Sequence, residues 1–190
     1  MESSISSLIE TCKNIYDRQL VSGKAGNVSI RVGEYIAITP TLKSLNDLKS
    51  EDIVLVDFDG NPLSKNKPSS EVGMHIEIYK KRPDVNAIVH THSPYATGFS
   101  FSSKKIKRLE GFGKVNQKYL SSIEYEKPGS KQLAVNASKG IGNEDVLILK
   151  EHGVICVGKN IKEAESLANF VEETAKTQFI SLMLNSVKDI

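Results

Sequence analysis

The chain has little of what marks a secreted, membrane or nucleic-acid-binding protein. It has two cysteines, Cys12 and Cys156, both in apolar surroundings, and two isolated cysteines make no disulfide framework. It has no apolar run long enough to span a bilayer. Over residues 1–7 it lacks a basic segment followed by an apolar stretch, so no signal peptide is expected. A formal net charge of +2 gives neither sign a clear excess, so neither nucleic acid nor a membrane surface is expected as a partner. There is no internal repeat, low-complexity tract or linker. The expectation left is a cytoplasmic globular protein. Its 190 residues suit one domain, over 1–190, with one sizeable core. Hydrophobic residues at 39% and charged residues at 25% exclude a disordered or fibrous chain.

What is present is a regular alternation of element types. Ile5, Leu8, Ile9, Cys12, Ile15 and Tyr16 recur at helical spacing and predict a helix over 3–20. Residues 27–32 alternate polar and apolar, as a half-buried strand does, and 34–39 and 53–58 read as two further strands. Asp59-Gly60-Asn61-Pro62 is a turn, and the loop 66–70 leads into a helix over 71–81 that Pro83 stops. A strand over 85–92 ends in His-Thr-His, and Pro94 opens a helix to about residue 100. The stretch 102–129 is the least regular, with one strand near 119–123. A helix follows over 130–139, then strands over 145–149 and 154–157, then a long helix over 161–187. The pattern predicts one three-layer α/β/α domain with a mostly antiparallel central sheet.

Histidine carries the chemical signal. His90 and His92 are two apart on a predicted strand, and side chains alternate faces with period two, so both imidazoles point the same way. That is how a strand presents two nitrogen ligands to one ion. His152 also stands at the end of an apolar strand, and Gly153 after it permits a sharp turn and a close backbone approach. Three neutral imidazoles would leave a fourth position for water, substrate or a carboxylate, the pattern of a catalytic zinc site. Spacing alone does not place His152 with the pair, and a lone histidine is usually a solvated or core residue. His75, on the predicted helix, reads as structural, at most supporting a ligand.

Glu71 opens that helix. Its carboxylate either complements the positive helix end or serves as a general base beside a metal. Ser69 and Ser70 either cap the helix or, with its free N–H groups, favour an anion. Gly26-Asn27 is a tight polar loop that can offer backbone donors to a phosphate.

In order along the chain, Gly26-Asn-Val-Ser-Ile-Arg31, Thr39-Pro-Thr41, Ser69-Ser-Glu71, His90-Thr-His-Ser93 and His152-Gly153 resemble the class II aldolase and adducin-head family, in its short, archaeal-type L-fuculose-1-phosphate aldolase branch. The resemblance runs from the first helix to the last. It implies zinc on His90, His92 and His152, with manganese or cobalt as alternatives. It implies Glu71 as the acid–base residue and as a ligand of the empty site. It implies that Asn27, Thr41, Ser69 and Ser70, with Gly26, hold the phosphate of a small phosphorylated sugar. It implies a homotetramer with active sites between subunits. The reaction would be reversible cleavage of a ketose 1-phosphate such as L-fuculose 1-phosphate to dihydroxyacetone phosphate and lactaldehyde or a similar aldehyde.

The sequence departs from the family in three places. Leu42 follows Thr41 where the family usually has glycine. Glu151 precedes the third histidine where asparagine is common. No tyrosine stands near Gly111 to serve the aldehyde end, nor on a C-terminal tail, the last helix running nearly to Ile190; Tyr119 is the nearest. Two other readings share the scaffold. One is a sugar-phosphate dehydratase or a pentulose-phosphate 4-epimerase, the latter disfavoured because it typically has aspartate where Glu71 stands. The other is a non-catalytic adducin-like binding module, disfavoured by the retained histidines. A cupin is set aside because its glutamate normally follows its His-x-His closely.

Overall fold

The computed structural model describes residues 2–112 and 117–187, so Ile190 lies outside the described residues. The strands are β1 (Asn27–Val32), β2 (Tyr35–Ile38), β3 (Val54–Val56), β4 (Ala87–Thr91), β5 (Ser121–Ile123), β6 (Val146–Leu149) and β7 (Gly153–Gly158). The helices are α1 (Glu2–Asp17), α2 (Val72–Lys81), α3 (Pro94–Ser100), α4 (Lys131–Ile141) and α5 (Ile161–Ser186). One seven-stranded sheet runs in the order β3-β2-β1-β4-β7-β6-β5. Its pairs are antiparallel except β5 with β6, which α4 joins by a crossover, as parallel strands require. The expected α/β/α fold and its mostly antiparallel sheet are present.

Strand alternation sorts the core into two layers. Val28, Ile30, Ala87, Val89, Val154 and Cys156 pack with α1, α3 and α5. Ile36, Ile38, Ile88, Ile155 and Val157 pack with α2 and α4. The alternation of β1 predicts a half-buried strand. Instead Asn27 is 4% exposed and Ser29 fully buried. Their alternation points them under α2, so the polar side of this strand is an interior surface.

Most element ends shift by one to three residues from the sequence reading, for local reasons. Helix α1 stops at Asp17 because Gln19 turns left-handed (φ 60°). The N–H groups of Gln19 and Leu20 return to the carbonyls of Tyr16 and Ile15, which satisfies the last turn. Glu71 lies just outside α2 as its N-cap residue, and its carboxylate makes no capping bond. Strand β4 ends at Thr91, so His92 follows the strand instead of closing it.

Candidate metal and acid–base centre

The site lies where the C-terminal end of β4 meets the β6–β7 turn and the start of α2. His90 shares the face of Ile88 on β4 and so points toward α2. His92 lies one residue beyond the strand. His152 occupies the tight turn between β6 and β7, where Glu151 takes a left-handed conformation (φ 54°). Gly153 starts β7 so close to β4 that a Cβ there would strike the Thr91 carbonyl and lie 3.1 Å from the His92 ring. A side chain at 153 would therefore push the two histidine-bearing segments apart.

The histidines predicted from sequence come together. The ring centroids of His90, His92 and His152 are 4.9–5.0 Å apart, and their ligand nitrogens lie within 4.8 Å of one another. His90 Nε2 is 3.1 Å from His92 Nε2. Two imidazoles on one tetrahedral zinc, with Zn–N near 2.05 Å, would have nitrogens about 3.3 Å apart. Glu71 completes the group, with Oε2 3.1 Å from His90 Nε2 and Oε1 3.3 Å from His152 Nε2.

Lone pairs converge on this point, and a cation between them reconciles their repulsion. His90 donates from Nδ1 to the Val154 carbonyl at 2.9 Å, which leaves the Nε2 lone pair facing inward. Glu71 Oε1 is buried without a hydrogen-bond partner among the described residues, an orphan that a metal would satisfy. The donor set therefore fits a divalent ion.

For two of the three histidines the electrostatics agrees, while His90, beside the Glu71 carboxylate, gives up a proton only when an ion takes its place. Burial first, then the neighbouring His90 and His152, pushes His92 down to about 3. Burial and His90 push His152 down to about 4. Both are neutral near pH 7, the form that binds metal. Burial opposes ionisation of Glu71, but the charge and hydrogen bond of His90, then His152 and Asn27, outweigh it and hold the carboxyl well below its usual range. Burial likewise opposes the charged form of His90, and the Glu71 carboxylate overcomes it and moves this histidine upward.

The residues read as a phosphate cradle lie on adjoining backbone. The amide of Ser69 bonds to Thr39 O and that of Thr41 to Lys67 O, so 39–41 runs beside 67–69. Thr39 in turn bonds to Val28, which brings the 26–28 turn alongside. Gly26 is left-handed (φ 79°) and packed on His90, where a Cβ would come 2.9 Å from the His90 carbonyl. Ser69 Oγ accepts from the Glu71 amide at 3.3 Å, and Ser70 is exposed. Asn27 has turned its side chain inward. Its Nδ2 donates to Glu71 Oε2 at 2.9 Å, and its Oδ1 faces His75 Nε2 at 2.5 Å. An amide nitrogen carries two hydrogens, so one is left for a ligand.

Sequence reasoning missed Ser29, Tyr79 and Glu172. Ser29 and Tyr79 bond to each other beside His75. Glu172, on α5, accepts from the amides of Tyr95 and Ala96 at 2.9 Å each and so anchors the first turn of α3, just after His92. The signal for the first two was in the spacing: Glu71, His75 and Tyr79 are four apart, and Asn27 and Ser29 two apart. Nothing local pointed to Glu172.

Residues 6–179 match the family described as the class II aldolase and adducin N-terminal domain. The chain belongs to the class II aldolase and adducin family. It is 43% identical over 176 residues to a Methanocaldococcus jannaschii protein named L-fuculose phosphate aldolase, covering 93% of this chain and 96% of that one. It is 32% identical over 178 residues to a Haemophilus influenzae protein named 3-oxo-tetronate 4-phosphate decarboxylase, covering 90% of this chain and 85% of that one. A solved structure named L-fuculose 1-phosphate aldolase superposes with a TM-score of 0.90 at 29% identity, over all of this chain and 91% of that one. This class II aldolase relative thus has the same arrangement of strands and helices from end to end.

Proposed function

We propose that the chain is a metal-dependent aldolase that reversibly cleaves a ketose 1-phosphate, such as L-fuculose 1-phosphate, to dihydroxyacetone phosphate and lactaldehyde or a similar aldehyde. The observation that carries this reading is the convergence of His90, His92, His152 and both Glu71 oxygens on one point. His90, His92 and His152 would hold zinc, with manganese or cobalt as substitutes, and Glu71 would ligate the ion when no substrate is present. Bound there, the ion supplies a Lewis acid for negative charge developing on the substrate oxygens.

The chain's own residues do the rest. Gly26, Asn27, Thr41, Ser69 and Ser70 would hold the phosphate through the small hydroxyls, the remaining Asn27 amide hydrogen and the N–H groups not already bonded within the loops, which would fix the reacting carbon beside Glu71. In the synthetic direction Glu71 takes the proton from the carbon next to the carbonyl. The electron pair left on that carbon attacks the aldehyde, and the aldehyde oxygen takes up a proton. In cleavage the steps reverse: the hydroxyl that becomes the aldehyde oxygen gives up its proton, the carbon–carbon bond breaks and leaves its electron pair on the carbon next to the carbonyl, and Glu71, once protonated, gives its proton to that carbon. A carboxylate held ionised and released on substrate binding suits that role.

The decarboxylase relative favours a second reading, in which the same enolate chemistry expels carbon dioxide, or water as in a dehydratase. A 4-epimerase or a non-catalytic adducin-like module fits less well with Glu71 and the histidines in place. The chain is proposed to act as one domain over 1–190, within a homotetramer whose active sites lie between subunits. Support comes from exposed Phe101, Phe179, Ile180, Met183 and Leu184, an apolar surface on and beside the end of α5. Among the described residues no helix is long and apolar enough to cross a membrane. Both cysteines are free and buried, which supports a cytoplasmic location.

The test is a paired assay for zinc content and for release of dihydroxyacetone phosphate from L-fuculose 1-phosphate. About one zinc per chain with chelator-sensitive release is expected. Metal without cleavage would move the reading to decarboxylase or dehydratase chemistry, and no metal would move it to a binding module.

A further inference from the structure

Behind Glu71 runs a buried line of hydrogen bonds whose members beyond Asn27 the proposed reaction does not touch. Glu71 Oε2 accepts from Asn27 Nδ2 at 2.9 Å, and Asn27 Oδ1 lies 2.5 Å from His75 Nε2. His75 Nδ1 lies 2.7 Å from Ser29 Oγ, which lies 2.9 Å from the Tyr79 hydroxyl. His75 and Ser29 are 0% exposed and Tyr79 is 1% exposed. Arg31 closes the far end, donating to the Tyr79 carbonyl at 2.8 Å with its guanidinium 5.0 Å from the Tyr79 ring.

The direction of every bond in the line follows from its first member. An ionised carboxylate only accepts, so Asn27 must present its NH2 to Glu71 and its oxygen to His75. His75 must then donate from Nε2, which makes Nδ1 an acceptor. Ser29 must give its hydrogen to Nδ1, and Tyr79 must give its own to Ser29. Burial keeps the Tyr79 phenol protonated and pushes His75 down to about 3, so each group stays in the form the line requires. Bonds aligned in this way polarise one another, and the last one, onto Glu71, is strengthened. The amide of Asn27 interrupts any relay of protons, so the line fixes direction and does not conduct.

We infer that Tyr79, Ser29 and His75 are positioning residues, which act through Asn27 to set where the Glu71 carboxylate points. The inference rests on the acid–base role proposed for Glu71. It extends that role to three side chains that touch neither metal nor substrate.

Nitrogen NMR of the full chain, with and without zinc, reads the His75 tautomer directly, and steady-state kinetics read its consequence. Wild-type His75 is expected as the neutral Nε2–H tautomer, without titration between pH 5 and 8. Ser29→Ala removes the donor to Nδ1. It should mix the tautomers and lower kcat about tenfold, with KM for the sugar phosphate nearly unchanged and zinc retained. Tyr79→Phe, which keeps the core volume, should give a smaller change in the same direction. A His75 in the Nδ1–H form, or one titrating like a free imidazole, would overturn the inference. So would an unchanged tautomer and kcat in Ser29→Ala. A fixed Nε2–H tautomer in a protein that cleaves no sugar phosphate would uphold the line while refuting the aldolase reading.

Discussion

Two parts of the molecule, the centre around Glu71 and the histidines and the stretch over 101–130, are built differently. Around Glu71 and the histidines, side chains sit on strand ends and tight turns. His90 is fully buried, and Glu71 and His152 are 6% and 7% exposed. Four buried polar atoms there, Glu71 Oε1, His152 Nδ1, Thr91 Oγ1 and Ser93 Oγ, have no hydrogen-bond partner among the described residues, as a site kept for a ligand would. The described part of the stretch over 101–130 (residues 101–112 and 117–130) is mostly turns, bends and irregular backbone. Its regular elements among the described residues are one short helical turn at Glu110–Phe112 and strand β5. Phe101, Leu109 and Tyr125 are exposed. At Gly111 a Cβ would run into the Phe170 ring, so a tyrosine there would have to displace that ring. The difference teaches where the chemistry is fixed. On the proposed reading, metal and proton handling would rest on the buried, closely packed centre, and recognition of the variable half of the substrate would fall to loops.

The comparison breaks most clearly at the metal. His92→Ala should lose zinc and activity together. Several kcal/mol of Lewis-acid stabilisation would go with it, about a thousandfold in kcat/KM. A fully metallated, active His92→Ala protein would refute the site. Glu71→Gln should keep most of its zinc and still lose ~10²–10⁴-fold in turnover, because an amide cannot take the proton. Metal analysis beside kcat separates the two losses. Gly153→Ala tests the close approach itself. Its methyl group has to displace Thr91 or the two imidazoles, costing about 1–3 kcal/mol in urea unfolding and weakening zinc binding. If stability and zinc affinity were both unchanged, β4 and β7 would not need this contact. The smallest effect is expected on the other side. Tyr119→Phe should leave kcat within about twofold, as for a surface side chain outside the machinery. A large loss would place the missing aldehyde-end hydroxyl at Tyr119 and make the irregular stretch part of the fixed site.

How much was readable in the sequence follows the same division. Helix and strand periods placed the elements, because their apolar faces pack on one sheet. His90 and His92 were visible as a pair because strand spacing is local. His152 joins them through the β4–β7 pairing, a contact across more than sixty residues that local spacing does not show. The resemblance supplied that link before the structure did. The burial of Asn27 and Ser29 was not legible, because polar alternation looks the same whether the polar side meets water or a buried helix. Glu71 could not be told from a helix-dipole carboxylate until its side chain was seen turned away from α2. Leu42 is left-handed (φ 61°) and 75% exposed beside Thr41, a conformation that suits glycine and that no sequence pattern predicts for leucine.

The central claim is that Glu71, beside a metal on His90, His92 and His152, takes a proton from the carbon next to a phosphorylated ketone's carbonyl. Deuterium exchange tests it without any aldehyde. Zinc-loaded protein is incubated with dihydroxyacetone phosphate alone in D2O, and the substrate is followed by proton NMR. The account predicts stereospecific exchange at the carbon bearing the free hydroxyl, abolished by a chelator and by Glu71→Gln. Exchange that survives in Glu71→Gln, or no exchange in zinc-loaded wild type, would contradict it.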